Sequence, residues 1–382
     1  MATPQAIAAD HKALPDFERV VIDSNLPGGY QVEVADVNGD GRLDIVGLGG
    51  GTCAWYENPS WTKRIVSTPK ETPRIISSAT ADLDADGKAE IAIAYEFEMN
   101  QPKLGKLALA TQTDGDTWKV TPITNLESIH RLRWGDVDGD GRPDLVVAPI
   151  FGPKSLPPLF QQDQAHLVYF NTGSDPKAGH WTLHPIGERP VLHAIEVRKG
   201  PGGSIILTAD NLGVGRFQRN TQGFTSRNLI TGAPGEAPKR GSSEIHLGRL
   251  NDGRTFLATI DPWHGQDVSV SMSVEAAKAG HETEGPFAER TILDRTIKEG
   301  HALWVADVDG DGDDEVFAGY RGPGTSVIAY DFNGKTWTRS VIDSAIAAQD
   351  LRGGDVDGDG LPDVVAIGGS THNVVMYRPR KP

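Results

Sequence analysis

A ring of seven four-stranded blades, an all-β propeller, is the fold this sequence predicts, and three observations predict it. The first is a repeated acidic loop: DVNGDGRLD (Asp36 to Asp44), DLDADGKAE (Asp82 to Glu90), DVDGDGRPD (Asp136 to Asp144), DVDGDGDDE (Asp307 to Glu315) and DVDGDGLPD (Asp355 to Asp363). The second is its spacing, 46 residues from Asp36 to Asp82 and 54 from Asp82 to Asp136, a period that belongs to propellers and arrays. The third is what flanks the loops. RLRWG and ALWVA precede two of them, and DIVGL, EIAIAY, DLVVAP, EVFAGY and DVVAIG follow, short runs that read as buried strands.

Each loop marks one strand–loop–strand unit. Two further units, lacking the acids to hold a cation, fill the long gap: HAIEVRKGPGGSIILTADN (His193 to Asn211) and IHLGRLNDGRTFLATID (Ile245 to Asp261). Seven units then share the chain at about fifty residues each, enough for four short strands. The chain ends on NVVMYRPRKP, a third strand without a fourth, whereas FERVVID (Phe17 to Asp23) matches WTRSVID (Trp337 to Asp343). Phe17–Asp23 is therefore predicted to close blade seven, behind an extension over residues 1–16, in one domain spanning 1–382.

Loop positions 1, 3, 5 and 9 carry hard oxygen ligands and position 6 is Gly, which permits a sharp bend; this set suits Ca²⁺. The ligands are Asp36, Asn38, Asp40 and Asp44; Asp82, Asp84, Asp86 and Glu90; Asp136, Asp138, Asp140 and Asp144; Asp307, Asp309, Asp311 and Glu315; and Asp355, Asp357, Asp359 and Asp363. An EF-hand would end on an acid at position 12 between helices, whereas here the last acid is at position 9 between strands. The strand–DxDxDGxxD–strand unit resembles the FG-GAP/VCBS repeat of integrin-type propellers. That resemblance implies that each loop joins the innermost strand of a blade to the next and that the calcium is structural.

The formal net charge of −15 reflects these loops: their ligand positions hold 19 of the 52 acidic residues, leaving 33 others against 37 Lys and Arg. No basic patch suggests nucleic acid, and no apolar stretch is long enough to cross a membrane. Cys53, the single cysteine, excludes an internal disulfide. Calcium loops point to a calcium-rich compartment, so a periplasmic or secreted protein is expected. MATPQAIAADHK lacks an apolar signal core, and a signal removed from the mature chain is the expectation. Oligomeric state is not legible.

The repeat register brings equivalent positions of different blades into one column. Six residues before the first loop acid stand His130 and His301; aligning the degenerate blades adds His193 and His246, while blades one, two and seven give Tyr30, Ile76 and Gln349. This position begins the innermost strand, at the channel mouth opposite the calcium loops. Three neighbouring imidazoles with an open place would hold Zn²⁺ or Mn²⁺, with His193, His246 and His301 as the candidate ligands. Where the second strand returns to the same rim stand Glu96, Asp210, Asp261 and Arg321, and DPWHG adds Trp263 and His264.

A single His at a strand start is ordinarily a solvated or capped residue, and strand parity turns this column between blades unless its residues twist out. A second column, Glu33, Arg133, Glu196, Arg249, Trp304 and Arg352, reads as a charge network lining the tunnel. No P-loop, nucleophile elbow or dinucleotide fingerprint is present. Imidazoles, carboxylates, Arg, Tyr and Trp at one mouth suit a sugar, and suit proton abstraction beside a carbonyl.

The segments PGGYQVEVADVNGDGRLDIV, IHRLRWGDVDGDGRPDLVVAPIFG and GHALWVADVDGDGDDEVFAGYRG resemble the propeller domain of fungal aldos-2-ulose dehydratases. The resemblance implies a lyase that eliminates water or an alcohol from a keto-sugar of the anhydrofructose or 3-keto-glycoside kind. On it, His130, His193, His246 and His301 are metal ligands or bases, Tyr30 is an acid/base candidate and His264 joins the catalytic set. Glu96, Asp210, Asp261, Trp263, Arg321 and Gln349 are the substrate-binding candidates. A calcium-stabilised lectin or an adhesion propeller without catalysis is the alternative.

Overall fold

The computed structural model describes residues 11–113 and 117–380. Among them, seven antiparallel sheets of four strands each form the blades, and the helical content is one 3-10 turn, Pro176–Ala178. The innermost strands are Gly29–Ala35, Ser77–Ala81, Ile129–Gly135, Ala194–Gly200, Glu244–Arg249, Gly300–Ala306 and Ala348–Gly354. Each touches the next, and Ala348–Gly354 returns to Gly29–Ala35, which closes the ring. Phe17–Asp23 pairs antiparallel with Val374–Pro379, Val20 opposite Met376, so both ends of the chain sit in blade seven. Residues 1–10 of the expected extension lie outside the described residues. Of the remainder, Lys12 reaches the blade-six loop, its Nζ donating to the Asp309 carbonyl at 2.9 Å.

The second strands, DIVGLG, EIAIAY, DLVVAP, EVFAGY and DVVAIG, are buried at every position. Sheets covered on both faces need such unbroken apolar runs. Apolar layers fill the blade junctions: Phe256 and Ile260 of blade five meet Val316 and Tyr330 of blade six, and Leu351 and Val364 of blade seven meet Phe317 and Ala329. Outer-strand acids add staples. Asp23, Asp294 and Asp343 accept the hydroxyls of Tyr56, Tyr330 and Tyr377 from the following blade, at 2.6, 2.8 and 2.7 Å.

The acidic loops take one conformation. The N–H of the residue after the first acid donates to the position-9 carboxylate, as in Val37 to Asp44 (3.0 Å), Val137 to Asp144 (2.9 Å) and Val308 to Glu315 (2.8 Å). Position 6 is left-handed, with φ of 84° at Gly41 and 95° at Gly360, a conformation that favours glycine. In blade four a two-residue turn, Pro201-Gly202, replaces the loop between Gly200 and Gly203.

Candidate functional site

At the opposite end of the inner strands, the parity obstacle is removed by β-bulges. The register slips between Gly29 and Gln31, Ile129 and Arg131, Gly300 and Ala302, and Ala348 and Asp350. Tyr30, His130, His301 and Gln349 are the extra residues. A bulge re-aims the side chain it carries, and here it turns the first position of the strand into the channel mouth. His193 stands just before its strand, its N–H bonded to Ala209 O at 3.0 Å.

The rings are pinned by the next blade. Nδ1 of His130 lies 3.1 Å from His193 O, Nδ1 of His193 2.8 Å from Ser243 O, and Nδ1 of His301 2.6 Å from Gln349 O. A carbonyl only accepts, so each Nδ1 carries the proton and each Nε2 keeps its lone pair for the centre. Tyr30 Oη lies 3.1 Å from His130 Nε2 and 3.4 Å from His301 Nε2. Arg131 Nη1 also donates to His130 Nε2, at 3.2 Å.

Blade five departs from the expected column. The N–H of Ser243 donates to Ile260 O, the bond that His193 makes in blade four, so Ser243 and not His246 holds the histidine position. His246 stands three residues deeper, in the tunnel, its Nε2 accepting from Arg352 at 3.3 Å and its Nδ1 3.8 Å from Glu196. Matching the strands by their hydrophobic pattern alone shifts the register by that distance. The vacated place is filled from another element: His264, in the turn after Thr255–Asp261, puts Nε2 3.0 Å from His193 Nε2. Arg321 Nη2 donates to its Nδ1 at 3.1 Å, and Arg321 Nη1 to Gln349 Oε1 at 3.2 Å.

Burial drives all four imidazoles of the cluster below the ordinary histidine value, His130, His264 and His301 well below it. Arg131 beside His130 and Arg321 beside His301 push further in the same direction. The rings are neutral at neutral pH. A ligand nitrogen from each of His193, His264 and His301 lies within 4.8 Å of the others, which fits a transition ion once His246 is replaced by His264 in the set. Arg321 opposes this fit, since it leaves the His264 proton on Nε2, and a bound ion would have to displace that proton.

Two expected substrate contacts are structural instead. Asp210 is fully buried against Arg189 Nε (2.5 Å), and Asp261 against Arg290 Nη1 (2.9 Å) and Thr259 Oγ1 (2.9 Å). Glu96 pairs with Lys106 Nζ at 2.8 Å on the rim. Trp263, Arg321 and Gln349 do reach the cluster; Trp263 packs with Phe151 and Phe160 in an apolar wall whose Phe97 ring lies 5.5 Å from His130. Arg131 and Glu244, which is 3.0 Å from His193 Nδ1, were not legible as site residues, although each adjoins a column position. In the tunnel, Glu33, Arg133, Glu196 and Arg352 are joined by Asp350, whereas Arg249 is exposed and Trp304 packs on Phe317.

His264 also lines a cavity of about 600 Å³ with Pro262, Gln266, Arg290, Lys298 and Glu299, a size that admits a small sugar. An equally large cavity on the other face, beside Glu196, Arg198 and Arg249, contains no imidazole.

The acidic loops lie on that other face. Their donors fit a cation: Asp309 Oδ2 and Glu315 Oε1 are buried without a hydrogen-bond partner. Burial first, then mutual repulsion, pushes Asp309 up to about 6 and Glu315 to about 10. Blade two differs, because Lys177 Nζ sits among Asp84, Asp86 and Glu90.

Residues 36–93 and 307–366 match the model of the FG-GAP-like repeat. The chain is 25% identical over 360 residues to the aldos-2-ulose dehydratase of Phanerodontia chrysosporium, covering 81% of this chain and 38% of that protein. It therefore spans well under half the length of that relative. Among solved structures it is similar to an Agrocybe aegerita lectin that recognises non-reducing terminal N-acetylglucosamine (TM-score 0.53, 16% identity, 84% of this chain and 81% of that one). It is also similar to a candidate 6-phosphogluconolactonase of Bacteroides fragilis (TM-score 0.51, 14% identity, 94% and 92%). At these identities the structural matches speak for the fold alone. With seven four-stranded sheets in a closed ring, the chain is a seven-bladed β-propeller, two stretches of which match the FG-GAP-like repeat.

Proposed function

We propose that this chain is a carbon–oxygen lyase that removes water or an alcohol from a keto-sugar, at the cluster of Tyr30, His130, His193, His264 and His301. The observation that carries the reading is the pair of neutral imidazoles, His130 and His301, whose Nε2 lone pairs turn to one phenol beside His193 and His264, flanked by two guanidiniums. The similarity to the dehydratase supports carbohydrate as the substrate class. A metal held by His193, His264 and His301 would supply Lewis-acid polarisation of the substrate carbonyl.

Within the protein, a neutral ring nitrogen takes the proton from the carbon beside the carbonyl. The electron pair moves to the carbonyl oxygen, where Arg321 or Arg131 offsets the developing charge. The β carbon–oxygen bond then breaks as the double bond forms, and the leaving oxygen takes up a proton. Tyr30, within reach of His130 and His301, is placed to relay it. The products are an enone and water or an alcohol, so atoms balance without an oxidant. The Phe97–Phe151–Phe160–Trp263 wall keeps bulk water from one side. Calcium in the acidic loops is proposed as structural, in a periplasmic or secreted setting.

The test is incubation with anhydrofructose and 3-keto-glycosides while following ultraviolet absorbance. Enone formation is expected. No absorbance change across the panel, together with sugar binding at several sites per chain, would replace the lyase by a lectin.

A further inference from the structure

The acidic loop of blade two has its own cation. Lys177 lies on the 3-10 turn Pro176–Ala178 of blade three, between the strands Ala165–Asn171 and Thr182–Arg189. Its Nζ is 2.8 Å from Asp84 Oδ2, 2.8 Å from Asp86 Oδ2 and 3.1 Å from Glu90 Oε1. These are loop positions 3, 5 and 9, three of the four oxygens that calcium would take. An ammonium has three donors, and here each finds a carboxylate.

Among the described residues, no other loop has an ammonium seated on three of its carboxylates. Arg42 and Arg142 each hold a single position-5 carboxylate, at 2.7 and 2.5 Å, with side chains more than half exposed. Arg378 approaches Asp357 only to 3.7 Å, and Lys12 Nζ donates to the carbonyls of Asp309 and Gly310. Blade two also departs in sequence: position 4 is Ala85, held at a φ of 59°, where the other four loops have Gly39, Gly139, Gly310 and Gly358. The loop thus keeps the calcium-type conformation despite a strained residue, around a nitrogen instead of an ion.

We propose that Lys177 is a tethered replacement for calcium in blade two, so that this propeller takes four calcium ions and not five. An ammonium and a dication cannot share one three-carboxylate cage, since at about 3 Å their repulsion adds to the lost hydrogen bonds. Calcium bound at the other loops stabilises in proportion to the logarithm of its free concentration. The Lys177 contact joins blades two and three whatever that concentration is. The inference is independent of the lyase reading.

Elemental analysis of the full chain, dialysed against excess calcium and then desalted, should find four ions in wild type. Lys177→Met, which removes the ammonium and keeps the stem, should hold five. Its melting temperature in EGTA should fall below that of wild type, with added calcium narrowing the gap. Lys177→Arg, which keeps a cation in place, should retain the wild-type ion count and shows that the turn tolerates substitution. Equal ion counts in wild type and Lys177→Met, with equal melting temperatures in EGTA, would overturn the proposal, as would five ions in wild type.

Discussion

His264 and His246 separate two ways in which a histidine can belong to a propeller. His264 touches His193 and Arg321 at the cluster, whereas His246 accepts from Arg352 inside the tunnel and meets no other imidazole. If chemistry resides in the cluster, His264→Ala should lower turnover by about 10²–10⁴-fold, the range for a lost acid/base or ligand group. Any transition metal found in the wild type should leave with it. His246→Ala should keep both turnover and metal to within a few-fold. The check is kcat with elemental analysis on the two variants; equal losses would remove the cluster from the mechanism. His264 was found in the sequence only through the DPWHG turn, and its place beside His193 depends on a contact 71 residues away along the chain.

At the scale of the strand, the staples between blades come from the ends of outer strands. In FERVVID and WTRSVID the last residue, Asp23 or Asp343, accepts a tyrosine hydroxyl from the following blade and a cation beside it: Lys63 for Asp23 and Arg19 for Asp343. The internal match between those two segments was legible, and it located the closing strand correctly. The tyrosine partners were not legible, since Tyr377 and Asp343 belong to different blades. Tyr377→Phe removes one buried donor and leaves the carboxylate to Arg19 and the Ala345 N–H. The expected cost is about 1–2 kcal/mol, read as a lower midpoint in chemical denaturation with an unchanged slope. An unchanged midpoint would show that the hydroxyl does not staple the ring.

For the whole molecule, stability and calcium are expected to be linked through pH. Burial first, then neighbouring loop carboxylates, raises Asp44 and Asp144 to about 6 and Asp363 to about 7. Raised acids keep their protons in the fold after the unfolded chain has lost them. Their contribution to the calcium-free protein is complete below about pH 4 and is lost as pH rises through 6 to 7. Calcium needs the ionised form, so its stabilising increment should grow over the same interval. Melting temperatures with calcium and with EGTA should therefore diverge from pH 5 to pH 8, by many degrees at the upper end. A gap that is absent, or constant with pH, would argue against calcium in these loops.

The number of blades, the position of the acidic loops and the closing strand follow from the chain alone, because they rest on local repetition: one loop pattern, one period and one duplicated outer strand. The cluster follows only in part. The register that aligned His130, His193 and His301 is sequence information, yet a strand of period two would turn those rings between blades. Only tertiary structure supplies the bulges that aim Tyr30, His130 and His301 inward. It also places Ser243 in the blade-five position, brings His264 across to fill the vacancy, and seats Lys177 in the loop of another blade. Each of these is a contact between segments far apart in the chain, and such contacts depend on how the seven blades turn about one axis, which no local pattern records.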